Sequence, residues 1–114
     1  MKRLTILFVL FIMACTSQSV PSTAQQGQIT IINKTGFPVW YIYISLSTDD
    51  DWGPDLMNVD QIIVNNDFIN LYLPDPESEQ YDIMLEDSVG NIYIKYKVRL
   101  TTRSRIVFTF DDIW

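Results

Sequence analysis

The sequence predicts an all-β fold, a small antiparallel β-sandwich or barrel of about six to seven strands preceded by an N-terminal signal peptide and a flexible linker. Three observations predict it. Apolar and polar residues alternate at period two in segment after segment. Clusters of Gly, Pro, Asn and Asp break these segments about every eight to twelve residues. No segment of the domain repeats apolar residues at helical spacing.

In chain order, residues 28–33 (QITIIN) read as a strand, and Lys34-Thr35-Gly36 as a turn in which Gly36 supplies a positive φ. Residues 37–45 (FPVWYIYIS) form a second strand, with Pro38 tolerable at its first positions. A long polar loop spans 46–58, and 59–64 reads as a short strand. After the turn Asn65-Asn66-Asp67, residues 68–73 (FINLYL) place Ile69, Leu71 and Leu73 on one face, and Pro74-Asp75-Pro76 stops them. In 80–86, Tyr81, Ile83 and Leu85 point inward. The cluster Asp87 to Asn91 makes a hairpin turn. In 92–98 the alternation sets Ile92, Ile94, Tyr96 and Val98 against Tyr93, Lys95 and Lys97, which places the lysines toward solvent. A turn at Thr101–Ser104 leads to 105–110, with Ile106, Phe108 and Phe110 on one face.

The N-terminus reads as an address. Lys2 and Arg3 precede an apolar run of ten residues, Leu4 to Met13. A spanning helix needs about 20, so the run fits the apolar stretch of a signal peptide. Ile12-Met13-Ala14-Cys15 resembles the lipobox of bacterial lipoproteins, with an aliphatic residue three before the cysteine and a small one immediately before it. The resemblance implies cleavage before Cys15 and a lipid (diacylglycerol, with a further acyl chain such as palmitate) on that residue. Such chains anchor stably because each buried CH₂ contributes about 0.8 kcal/mol. The alternative is periplasmic or secreted protein, released after Ser22-Thr23-Ala24. Thr16 to Gln28 is rich in Ser, Thr, Gln and Pro and reads as a tether. The organisation is therefore 1–14 signal, 15–28 lipidated cysteine and tether, and 29–114 domain, in a bacterial cell envelope.

Composition excludes several function classes. With Lys2 and Arg3 in the signal, the remainder carries 6 basic and 14 acidic residues, net −8. It has no basic stripe to follow a phosphate backbone, so nucleic acid is not an expected partner. The chain has no histidine and one cysteine. A Ser-His-Asp triad, a Cys/His zinc site and an intrachain disulfide are thereby excluded. A Ser-Lys pair would need Lys34, Lys95 or Lys97, of which the last two read as solvent-facing, and only four glycines are present, none in a phosphate-cradling loop. No enzymatic constellation is expected.

Beyond the N-terminus, the chain resembles a group of small exported bacterial domains of unknown function. The matching residues are Asn33-Lys34-Thr35-Gly36 (N-x-T-G), Tyr43-Ile44-Ser45 (Y-I-S), Trp52-Gly53-Pro54-Asp55-Leu56 (W-G-x-D-L) and Tyr81-Asp82-Ile83 (Y-D-I). The resemblance spans most of residues 29–112 and implies export and a β-rich fold, with no activity attached.

The remaining candidates lie in the loop after the second strand. Asp49, Asp50, Asp51, Asp55 and Asp60 form an acidic run of the kind that supplies oxygen ligands to calcium, which takes about six to eight. The spacing is not that of an EF-hand, because three adjacent aspartates on an extended loop point apart. Solvated turn-forming carboxylates are the competing account. Trp52 either plugs one end of the sandwich or stacks on a sugar or protein. Trp40, Ile42 and Ile44 are expected on one face of the second strand, and Val39, Tyr41 and Tyr43 on the other; with both faces apolar, the strand reads either as a buried central one or as one that exposes an aromatic patch. The expected function is a lipid-anchored interaction or structural module of the cell envelope with a protein partner. The alternative is a ligand-binding module, for calcium or carbohydrate, at the 49–60 loop.

Overall fold

The strand that organises the domain is β1 (Gln26–Lys34), which pairs on both sides. The computed structural model describes residues 26–74 and 76–114. The expected signal (1–14), Cys15 and the tether as far as residue 25 lie outside the described residues. The remaining strands are β2 (Val39–Leu46), β3 (Phe68–Pro74), β4 (Gln80–Asp87), β5 (Ile92–Arg99) and β6 (Arg105–Thr109). They form two three-stranded sheets, in the orders β3-β1-β6 and β2-β4-β5. Two open sheets packed through one core make this a sandwich and not a closed barrel.

Three features depart from the expected fold. β1 starts at Gln26, because Gln26, Gly27 and Gln28 pair with Pro74, Leu73 and Tyr72. Main-chain pairing needs no apolar side chain, so this part of the strand has the composition of a tether. Gly27 is also where the chain passes closest to its neighbours: a Cβ there would overlap the buried Pro76 ring and press on the Thr102 backbone. The second departure is that β1 and β6 run parallel, from Thr30↔Arg105 to Lys34↔Thr109. The third is that 59–64 is not a strand. Only Ile63 bridges, to Val39, with N–H···O distances of 3.0 and 2.9 Å.

The core joins the sheets through Ile29, Ile31, Ile106 and Phe108 on one side and Val39, Ile42, Ile83, Leu85 and Tyr93 on the other. Each fully buried aliphatic or aromatic side chain contributes roughly 1.5–3 kcal/mol. Simple alternation fails in two strands, each at a register shift. In β2 the shift lies between Val39 and Tyr41, so Val39 and Ile42 both point inward while Trp40 and Tyr41 both turn out. In β5 the inward residue is Tyr93, not Ile92 and Ile94, and Tyr96 is exposed. Lys95 is half-buried, its ammonium 5.3 Å from the Phe108 ring and 3.0 Å from Asp112 Oδ1. The register shift opposite Tyr81 and Ile83, with Lys97 at φ 54°, then returns Val98 to the core side.

Candidate functional site

Four polar side chains found in or beside the sequence motifs are structural ties. Asn33, fully buried, satisfies its whole amide: Nδ2 donates to Phe37 O (2.7 Å) and Ile63 O (2.8 Å), and Oδ1 accepts from Thr35 N (3.0 Å) and Thr35 Oγ1 (2.7 Å). Gly36 takes φ +96° and donates its N–H to Asn65 Oδ1. This explains N-x-T-G as the crossing from β1 to β2, where the chain leaves one sheet for the other. Asp82 Oδ1 accepts from Ser47 Oγ (2.7 Å) and from the N–H of Lys97 at its positive φ (2.9 Å). It therefore holds the β5 irregularity.

Asp87 is buried at the end of β4. Its carboxylate accepts from Tyr93 Oη (2.7 Å), Asn91 Nδ2 and the N–H groups of Val89 and Asn91. Burial alone would raise its pKa; these hydrogen bonds outweigh burial and hold the carboxyl below the usual aspartate value. Burial and the same hydrogen bond push the Tyr93 phenol up.

The acidic run is divided. Asp55 Oδ1 accepts from Ile42 N and Met57 N, both at 3.0 Å, and Leu56 N donates to Ile42 O at 2.8 Å. Asp55 thus clips the 55–57 segment onto the outer edge of β2 and is committed to the backbone. Asp49, Asp50 and Asp51 line a shallow depression of about 170 Å³ together with Trp52, Asp82 and Tyr96. Asp60 lies on an exposed turn, where Gln61 N donates to Asn58 O. Among the described residues, no group of three or more His, Cys, Asp or Glu side chains is arranged to hold a metal ion. Trp52 is half-buried and lines the same depression.

The feature that sequence reasoning missed is a groove of about 440 Å³ on the outer side of β2. The β2 register shift supplies one wall, Trp40 and Tyr41, 42% and 37% exposed. The clipped loop supplies the other, through Met57, Val59 and Ile62. Val59 is 98% exposed and Ile62 52%. Asn58 and Gln61 add amide groups at the rim. Tyr43, next along β2, has its phenol pKa raised by partial burial and then by the charges of Asp55 and Glu86. Two successive aromatics in a strand signal a bulge only if both are known to face outward, and alternation by itself assigns them to opposite faces.

Compared with known proteins, the chain matches no family model and no curated protein. It is similar to an NMR structure of a protein from Eubacterium rectale, at 17% identity over 80% of this chain and 84% of that one, with a TM-score of 0.57. At that identity the likeness concerns the fold alone, and the shared fold is a small all-β sandwich.

Proposed function

We propose that this chain is a lipid-tethered interaction module of the bacterial cell envelope that grips a protein partner in the Trp40–Ile62 groove. The observation that carries it is the β2 bulge, which turns Trp40 and Tyr41 outward together beside the exposed Val59 and Ile62. Bulges re-aim side chains at functional edges, and exposed aromatic and aliphatic clusters mark contact surfaces. The partner this suits is an apolar protrusion with a neutral or basic rim, because Asp55 and Asp60 border the groove and the part after the signal carries net −8. The tether rests on the lipobox-like Ile12-Met13-Ala14-Cys15.

The test has two arms in cells expressing the full chain. Labelled palmitate should enter the wild-type protein and be lost in Cys15→Ala. A photo-crosslinking residue at Ile62 should give one discrete protein adduct that disappears with Trp40→Ala. An adduct pattern at Ile62 no different from one at Val107, on the other sheet, would refute the groove.

A second reading is supported by the convergence of Trp52, Tyr96 and the Asp49–Asp51 run on one depression. An aromatic beside carboxylates suits a neutral sugar, which stacks on the ring and donates hydroxyls to the acids. Quenching of tryptophan fluorescence by a glycan, abolished by Trp52→Ala, distinguishes it from the first.

A further inference from the structure

Edge strands expose main-chain donors and acceptors, and proteins protect them with covers, charges, prolines or bulges. Among the described residues three of the four edges here are protected. β2 is covered by Asp55, Leu56 and Ile63. β5 is met at its start by the C-terminus, where Trp114 N donates to Ile92 O, and carries Lys95, Lys97 and Arg99 beyond it. β6 is five residues long, begins with Arg105 and ends in the 3₁₀ turn Phe110–Asp112, whose Asp112 accepts from Thr109 N. β3 is seven residues long, with no charge, no internal proline and no register shift.

The hydrogen-bond phase of β1 identifies which β3 groups are free. Gln28 N and Thr30 N donate toward the β6 side, to Thr102 O and Ser104 O, whereas Asn33 N donates toward β3, to Asp67 O. Gly27, Ile29 and Ile31 therefore exchange bonds with Leu73, Leu71 and Ile69. The main-chain groups of Phe68, Asn70 and Tyr72 face outward. Phe68 N is held by Asp67 Oδ1 at 2.8 Å; nothing among the described residues bonds the outward N–H groups of Asn70 and Tyr72.

We propose that β3 pairs antiparallel with β3 of a second copy of this chain, about a two-fold axis at Asn70, joining the two β3-β1-β6 sheets into one. This register is self-complementary. Asn70 exchanges both main-chain bonds with its own copy, and Phe68 with the partner's Tyr72, so every outward group from Phe68 to Tyr72 gains a partner once Phe68 N leaves Asp67. On the solvent face the rings of Phe68 and the partner's Tyr72, 55% and 65% exposed, become cross-strand neighbours. On the core face, half-buried Ile69 meets the partner's Leu71. Pro74, which has no N–H, falls beyond the paired stretch. Asp67 faces the partner's Leu73, so no acid opposes an acid despite the chain's net −6. A foreign strand would match the main chain equally well, but would gain the aromatic pair twice only if it repeated this pattern in reverse.

The test uses the full chain in detergent micelles. Sedimentation should give a protein mass of two copies, falling to one in Asn70→Lys, which sets like charges face to face at the axis, and staying at two in Val107→Lys. Tyr72→Pro, which removes an outward N–H and the outward ring but no bond to β1, should also give one copy, with circular dichroism unchanged as the check that the sandwich is intact. Mild oxidation of Asn70→Cys in a Cys15→Ala background should cross-link two chains far faster than Val107→Cys. A single-copy mass at the highest soluble concentration, or a dimer indifferent to Asn70→Lys and Tyr72→Pro, would overturn the proposal.

Discussion

β2 and β3 are both edge strands, both rich in aromatic residues and both without a charged residue. Among the described residues, one is covered and the other is not. The difference does not lie in the strands themselves but in the path the chain takes on leaving each of them. After β2 the chain returns, and one carboxylate, Asp55, replaces a missing strand by accepting from Ile42 N while Leu56 N donates to Ile42 O. After β3, which ends at Pro74, the next described element begins at the buried Pro76, and among the described residues nothing covers the β3 edge. An edge protected by a loop becomes a groove; an edge left bare remains a strand-pairing surface. The two regions thus offer two modes of association, side-chain contact at β2 and main-chain pairing at β3.

The largest expected effect breaks the cover. Asp55→Ala removes two charge-assisted hydrogen bonds and leaves the N–H of fully buried Ile42 without a partner. A loss of about 3 kcal/mol is expected, equivalent to a fall of about 12–24 °C in melting temperature for a domain of this size. Asp55→Asn keeps an acceptor oxygen and should recover much of the loss. Equal destabilisation by both would show that the acceptor role is wrong.

Acid should separate the two sheets next. The Asp87 carboxylate ties the β4–β5 turn beside β2, and Ser88 N donates to Pro38 O there. Its pKa is lower folded than unfolded, so its stabilisation is complete above the ordinary value of 3.8 and is lost as pH falls through the lower folded value. Below pH 4 the exchange protection factors of β2, β4 and β5 should therefore fall before those of β1 and β3. Asp87→Asn should flatten that part of the stability profile.

A smaller effect sharpens the comparison. Asn70→Lys sits on the open edge and leaves every main-chain bond to β1 in place, losing only the Thr30 Oγ1 contact at 2.7 Å. Its stability change, by urea melt of the single-copy form, should stay within about 0.5 kcal/mol. The smallest effect is that of calcium. Asp55 is committed to the backbone and Asp60 lies apart from the Asp49–Asp51 depression, so millimolar calcium should shift the melting temperature by no more than about 1 °C. A shift of several degrees, lost on Asp50→Asn, would restore the metal reading of that loop.

The sequence by itself determined the class of fold and, apart from 59–64 and the start of β1, the placement of the strands, because alternation and turn residues are local properties. The inward set Tyr81, Ile83 and Leu85 is buried as the pattern requires, as are Ile106 and Phe108. Local pattern also marked the places that matter, since N-x-T-G, W-G-x-D-L and Y-D-I each contain a side chain that ties a turn or an irregular strand. Only the tertiary structure decided what those side chains do. An aspartate that binds calcium and one that caps a strand edge are the same residue in the sequence; Asp55 is the second because β2 lies within hydrogen-bond reach. Register shifts at Trp40 and near Lys97 likewise depend on the partner strand, so Tyr93 went inside and Trp40 outside against simple alternation. Which edges are covered and which stay open is a property of the assembled sheets, and no single segment carries it.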